Sequence, residues 1–255
     1  MTSLDRFFRP MRMLLLAGVA VVALGACASN RGMSATDYSG LPAGQSHQTL
    51  AELTARYKAN PKDKGVAIHY AAALRAVGQS KQAVAVLEIS VSHYPQDADI
   101  AVAYAKALTA DGRFEQSLQV LDNVIRPEAP DWNALLVKGA TLDQLGRNQE
   151  ARALYAQALV YAPGEASIEA NIGLSYAMTN ELPAAEQHLR RAVQMRGATS
   201  RVRQNLALVI GLQGRFEECR AIYAAELPPE QVESNMAYVR ALLTQQNRWD
   251  MIEKS

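Results

Sequence analysis

The chain has 255 residues, of which 49% are hydrophobic and 20% are charged, with 26 basic and 25 acidic side chains. This apolar content excludes a disordered chain and provides material for a long continuous core. A formal net charge of +1 argues against broad nucleic-acid binding, which requires concentrated positive charge, so no nucleic-acid partner is expected.

The first 26 residues have the features of an export signal. Three arginines between residues 6 and 12 precede an apolar stretch at residues 13–24, and Leu24-Gly25-Ala26-Cys27 follows. Small residues before a cut suit the cleft of a signal peptidase. The unbroken non-polar run, residues 13–28, is 16 residues long, whereas a transmembrane helix needs roughly 20. We therefore predict a cleaved signal peptide at residues 1–26.

The Leu-Gly-Ala-Cys sequence resembles the lipobox of bacterial lipoproteins. The resemblance implies that Cys27 becomes the first residue of the mature chain and carries acyl chains. Because Ala28 follows rather than Asp, it also implies export to the inner leaflet of the outer membrane. Each buried CH₂ contributes about 0.8 kcal/mol, so two or more chains anchor a protein stably. Cys219 is then left without a cysteine partner, and no disulfide is expected.

The segment after the lipobox has the composition of a linker. Residues 28–47 contain Ser, Gly, Asn and Thr, include Pro42, and show no apolar period. We predict that residues 27–47 form a flexible tether with a taut reach of about 65 Å.

Small residues recur at intervals of 34 residues: Ala83, Ser117, Ala151, Ala185 and Cys219. This is the period of the tetratricopeptide repeat (TPR), a helix–turn–helix unit that must stack on its neighbours to bury its apolar face. The fold class predicted is all-α, a TPR solenoid of about five repeats. The predicted repeats are 64–97, 98–131, 132–165, 166–199 and 200–233.

Two further positions support this alignment, counting from the first residue of each repeat. Position 8 is always Ala or Gly, which allows the two helices of a repeat to approach closely. Position 15 is Gly78, Gly112, Gly146, Asn180 or Gly214. A helix often ends in a left-handed residue, which Gly and then Asn tolerate best, so position 15 is predicted to end the first helix.

Both ends of the solenoid are predicted to be capping half-repeats, which cover exposed terminal faces. At residues 48–63, Thr49–Tyr57 followed by Pro61 predicts a lone second helix. At residues 234–255, Ser234–Gln246 predicts a first helix, and residues 247–250 mimic the turn at residues 214–217.

No catalytic or metal-binding motif is found in the sequence. The four histidines are not spaced for a metal with a neighbouring His or Cys, and there is no nucleophile elbow, P-loop or dinucleotide fingerprint. We expect no enzyme activity, no metal, no small-molecule substrate, and no cofactor besides the acyl chains on Cys27.

The first helices of stacked repeats line a concave side, where a protein partner is expected to bind. The predicted groove residues are Ile68, Arg75, Val102, Lys106, Leu136, Asn171, Leu174, Asn205 and Leu208. Asn171 and Asn205 lie in sequences that resemble the Asn-Leu-Gly of peptide-binding TPR repeats, where the amide pairs with a partner's backbone. The mostly aliphatic floor favours an amphipathic helix or a hydrophobic tail. Alternatively, these side chains pack against helices of their own solenoid.

The lipobox, the five repeats and the C-terminal sequence Met236-Ala237-Tyr238-Val239-Arg240 … Asn247-Arg248-Trp249 together resemble the TadD family of TPR lipoproteins of tight-adherence (Tad/Flp) pilus systems. The resemblance implies a scaffold anchored by lipid on the periplasmic face of the outer membrane. Its partner would be a secretin or another pilus-assembly component, and it would help the secretin reach or assemble in the outer membrane. Two alternatives remain: an adaptor that docks envelope proteases or cell-wall hydrolases, and an accessory of outer-membrane barrel assembly.

Overall fold

The structure is a computed structural model that describes residue 38 and residues 43–253, with side chains described for residue 38 and residues 44–244. The predicted signal peptide and Cys27 lie outside the described residues. The described part of the chain contains twelve α-helices and no β-strand. They are α1 Ala43–Ala59, α2 Lys64–Ala76, α3 Ser80–His93, α4 Ala98–Ala110, α5 Phe114–Asp122, α6 Trp132–Gln144, α7 Asn148–Tyr161, α8 Ala166–Met178, α9 Leu182–Gln194, α10 Ser200–Leu212, α11 Phe216–Glu226 and α12 Pro229–Glu253.

Helices α2 to α11 form five consecutive helix–turn–helix pairs that stack in chain order. Each first helix contacts its own second helix, and it also contacts the first helix of the next pair. The core therefore runs continuously from pair to pair. This is the all-α TPR solenoid that the period of 34 residues predicted.

Each pair turns at the predicted left-handed residue. The backbone N–H of Gly78 donates to the Arg75 carbonyl at 3.0 Å, and that of Gln79 donates to the Leu74 carbonyl at 2.9 Å. The same pair of bonds recurs at the other four turns, so the last carbonyls of each first helix are satisfied. The φ angle is 77° at Gly78 and 60° at Asn180, which is the one non-glycine residue with positive φ among those described.

The small residue at position 8 receives the large side chain at position 24 of the same repeat. A Cβ built on Gly139 would clash with the ring of Tyr155, and one on Gly173 would lie 2.7 Å from Cγ of Leu189. Tyr155 and Leu189 are fully buried. In the third and fourth repeats the close approach of the two helices thus depends on the absence of a side chain at position 8.

Two predicted boundaries differ from the structure. Helix α1 begins at Ala43, inside the segment predicted as tether, because residues 43–59 contain no proline and consist largely of helix-forming residues. Helix α12 begins at Pro229 and runs without a break through residues 247–250, where a turn was predicted. Asn247 stands there in place of Gly214, and no helix of the described residues packs back to stabilise a turn at that point.

Candidate protein-binding surface

The first helices lie side by side and form one surface of the solenoid. Hydrogen bonds between them show that position 12 of one helix lies beside position 10 of the next. The hydroxyls of Thr109 and Thr141 are 2.8 Å apart, and Ser175 Oγ donates to Asp143 Oδ1 at 2.8 Å. Lys106 Nζ of α4 also donates to Asn133 Oδ1, near the start of α6, at 3.1 Å. The surface is therefore held in register by polar contacts as well as by apolar packing.

A buried polar network around Asp143 fixes the third pair against the fourth. The Asp143 carboxylate is 5% exposed and accepts hydrogen bonds from Asn148 Nδ2 at 2.8 Å, Tyr155 Oη at 2.7 Å and Ser175 Oγ at 2.8 Å. Burial, together with the neighbouring carboxylate, raises the pKa of Tyr155, so its hydroxyl remains a donor. This network was not predicted from the sequence. The signal that could have indicated it is the presence of polar residues at positions 10 and 12, which face the core.

Three of the predicted groove residues are buried. Ile68, Val102 and Leu136, all at position 5, are 2%, 3% and 8% exposed. These side chains pack within the solenoid. Val102 and Leu136 each share a buried cluster with residues of the first helix of the following repeat. They offer almost no surface to a partner. Binding of a partner protein by the other six predicted groove residues stays a prediction.

Arg75 and Lys106 are half-buried and belong to the first and second repeats. Lys106 is engaged with Asn133, as described above. At position 9, the register of Lys106, the first repeat has buried Ala72 and the third has half-buried Ala140. The N-terminal part of the surface therefore combines small residues with cationic ones.

The larger apolar side chains are concentrated in the fourth and fifth repeats. Asn171, Leu174 and Met178 follow one another along α8 at i, i+3 and i+7, which places them on one face of the helix. Met178 is 52% exposed. The equivalent side chains of α10 are half-buried. We call the six residues the repeat 4–5 patch: Asn171, Leu174, Met178, Asn205, Leu208 and Leu212.

The two asparagines give the repeat 4–5 patch hydrogen-bonding capacity. Asn171 Nδ2 donates to the carbonyl of Ser167 at 2.7 Å, which fixes the side chain along its own helix. Its Oδ1 and the amide of Asn205 make no hydrogen bond within the described part of the chain. An amide beside aliphatic side chains can bind a peptide backbone while the apolar groups exclude water.

Tyr38 contacts position 6 of the first repeat, the position that Asn171 occupies in the fourth repeat. Its hydroxyl lies 2.9 Å from Nδ1 of His69, and the two rings meet edge to face with centroids 6.1 Å apart. His69 occupies position 6, as Asn171 does in the fourth repeat. The segment predicted as a free tether therefore contacts the solenoid at this residue.

The described residues were compared with the requirements of a metal site and of a membrane-spanning helix. They contain no group of three or more His, Cys, Asp or Glu side chains that could hold a metal ion. They also contain no helix that is long and apolar enough to span a membrane. Cys219 is fully buried, as expected for a thiol at a small-residue position.

The stacked helix pairs and the surface of their first helices define a helical-repeat scaffold of the protein-binding class. Tetratricopeptide-repeat models match residues 42–129, 136–199 and 200–225. The chain is a tetratricopeptide-repeat protein, and such repeats indicate a scaffold for protein–protein interaction. No match is found among curated proteins.

Several solved structures share the fold. A thermophilic TPR protein of Thermus thermophilus is 21% identical, with a TM-score of 0.60 over 69% of this chain and 97% of the other. A TPR protein of Parabacteroides merdae is 11% identical, with a TM-score of 0.65 over 77% and 78%. PilW, a widely conserved type IV pilus biogenesis factor, is 17% identical, with a TM-score of 0.57 over 77% and 91%. At these identities the likeness concerns the fold alone.

Proposed function

We propose that this TPR protein is a lipid-anchored scaffold on the periplasmic face of the outer membrane, where it holds the secretin or another component of a Tad/Flp pilus during assembly. The observation that carries the proposal is the combination, in one chain, of a sequence ending at Cys27 that resembles a lipobox with an apolar patch on the first-helix surface. A lipid anchor concentrates a binding surface at the membrane where an outer-membrane channel assembles.

The pilus assignment is supported by the C-terminal segments Met236–Arg240 and Asn247–Trp249, which resemble the TadD family. PilW, described as a type IV pilus biogenesis factor, is an example of the same fold used in pilus biogenesis.

The chemistry of the repeat 4–5 patch defines the segment that it would hold. Leu174 and Leu208 are half-buried, so a partner can remove their remaining surface from water, at about 25 cal/mol for each Å² of apolar area. Asn171 and Asn205 can pair with backbone amides of the same segment. An amphipathic helix or a hydrophobic tail of the secretin meets both requirements.

Affinity capture of the acylated protein from membranes tests the partner. We expect the secretin or a pilus component to co-purify with the wild type and to be lost with Leu208→Glu. The matched control is Val160→Glu, because Val160 is 77% exposed on the second helix α7 and lies outside the patch. Recovery of hydrolases, proteases or barrel-assembly proteins alone would replace the pilus function with one of the alternatives.

Membrane fractionation tests the anchor separately. Cys27→Ser removes the acylated side chain, so we expect the protein to leave the outer-membrane fraction and to collect in the inner membrane or the soluble fraction. If the variant stays in the outer membrane, the anchor is not at Cys27, although the binding surface is unaffected by that result.

A further inference from the structure

Tyr38 lies on the first-helix surface of the first repeat without being part of a helix. Its hydroxyl is 2.9 Å from Nδ1 of His69, and the planes of the two rings cross at 77°. A phenol hydroxyl can donate to an imidazole nitrogen, and aromatic rings attract each other in this edge-to-face arrangement. Residue 38 has no regular secondary structure, and helix α1 begins at Ala43. A half-buried side chain from outside the stacked pairs therefore contacts α2.

The position that Tyr38 contacts is polar in the first, fourth and fifth repeats. At position 6 the five repeats carry, in chain order, His69, Ala103, Val137, Asn171 and Asn205. His69 is half-buried and lies beside Ile68, which is 2% exposed. A polar side chain at such a depth can bind a polar group while its apolar neighbours exclude water. Tyr38 makes this contact with an aromatic hydroxyl, which identifies the chemistry that position 6 accepts in the first repeat.

We propose that Tyr38 is an internal ligand of the first-helix surface. Its phenol occupies the position-6 site of the first repeat, so a tyrosine side chain of a partner protein reaches His69 only by displacing it. The contact is thus autoinhibitory for this repeat, and it concerns a part of the surface distinct from the repeat 4–5 patch. It depends on the protein-binding role of the repeats, and not on the lipid anchor or on the pilus assignment.

The covalent connection favours Tyr38 of the same molecule as the occupant. Helix α1 packs on α2, which carries His69, and α1 begins at Ala43, close to Tyr38 in the sequence. A short connection holds a ligand near its site at an effective concentration of about a millimolar. A tyrosine in solution must exceed that concentration, or bind through further contacts, to replace Tyr38. A hydrogen bond and a ring contact hold this internal ligand, whereas a continuous buried core holds the helices, so the ligand can leave while the solenoid stays folded.

Cleavage by chymotrypsin after Tyr38 measures docking, because the phenol must leave His69 to enter the specificity pocket of the protease. Cleavage of the full chain in detergent is followed by mass spectrometry of the fragments. We expect His69→Ala to be cleaved after Tyr38 at least about fivefold faster than the wild type, since it lacks both the acceptor and the ring. The matched control is His93→Ala, at an exposed histidine of α3, which should leave the rate unchanged.

Tyr38→Phe separates the hydrogen bond from the ring contact and leaves the helices of the solenoid unaltered. Its phenyl ring also enters the protease, so each cleavage rate is divided by that of a free peptide with the same sequence around residue 38. The normalised rate of Tyr38→Phe should lie between those of the wild type and His69→Ala. Equal normalised rates for all three chains would overturn the proposal, because the phenol would then not be held at His69.

A synthetic peptide with the sequence of residues 33–42 tests the same site with a ligand in solution. Saturation-transfer NMR should detect binding of its tyrosine ring to the Tyr38→Ala chain, and the wild type should bind it at least about fivefold more weakly, because its site is occupied. The chain that combines Tyr38→Ala with His69→Ala should not bind it. Absence of binding to Tyr38→Ala, or equal binding to the wild type, would contradict the proposal. So would light scattering that shows a dimer of the wild type and a monomer of Tyr38→Ala, since Tyr38 of a second copy would then be the occupant.

Discussion

Removal of the Asp143 carboxylate tests whether the buried polar network stabilises the junction of the third and fourth repeats. In Asp143→Ala the side chains of Asn148, Tyr155 and Ser175 each lose the acceptor to which they donate, at 2.7–2.8 Å. Tyr155 and Ser175 are fully buried, so water cannot replace the missing acceptor without rearrangement of the core.

The loss in the free energy of unfolding follows from the number of hydrogen-bond donors left without an acceptor. Each buried donor left unsatisfied costs about 1–3 kcal/mol, and two of the three donors, on Tyr155 and Ser175, are fully buried. We expect the free energy of unfolding to fall by about 3–5 kcal/mol. For a domain of this size that corresponds to a decrease in Tm of about 6–20 °C.

Thermal and urea unfolding followed by circular dichroism measure the change. The matched control is Asp122→Ala, because that carboxylate is 56% exposed and pairs with Lys138 at the surface. The control should lose no more than about 1 kcal/mol. If Asp143→Ala loses less than that, or no more than the control, the network makes no net contribution and the reasoning is wrong.

Two further predictions concern the core. Gly139→Ala should lower the free energy of unfolding by about 1–3 kcal/mol, because the new Cβ overlaps the Tyr155 ring, which a hydrogen bond holds in place. The control Gly164→Ala has open space around the new Cβ and should cost little. Equal stabilities of the two variants in urea unfolding would contradict this prediction. Burial raises the pKa of Cys219, so its thiol should resist a thiolate-specific reagent at pH 8 until the protein unfolds. The free energy of unfolding should fall as the pH rises above the ordinary thiol pKa, because the thiol of the unfolded chain loses its proton at a lower pH than that of the folded chain. Rapid labelling of the folded protein would contradict this prediction, because it would show an accessible thiol.

The repeat period predicted most of the fold because each of its positions has one physical role. Position 15 needs a left-handed residue, and Asn180, the one exception to glycine in the alignment, takes φ of 60° there. Position 8 needs a small residue, because position 24 enters it. These requirements are local to one pair of helices, so a single sequence displays them.

The binding surface was harder to predict because it depends on contacts between repeats. Leu136 and Leu208 are both leucines on the predicted inner face, yet the first is 8% exposed and the second is half-buried. The two side chains differ in exposure because the first helix of the following repeat covers position 5 and leaves position 9 partly open. The Asp143 network was missed for a related reason: its partner Ser175 lies in the next repeat, 32 residues away.

The same pair of leucines separates folding from binding in one experiment. Leu136→Glu places a carboxylate in the core, so we expect a loss of several kcal/mol in the free energy of unfolding, and any loss of partner would follow from unfolding. Leu208→Glu places the carboxylate on a side chain that keeps contact with water, so we expect near wild-type stability with loss of the captured partner. Urea unfolding and affinity capture of both variants measure the two effects. If Leu136→Glu stays fully folded and loses its partner, position 5 faces the partner, and the stacking of the first helices over position 5 is wrong.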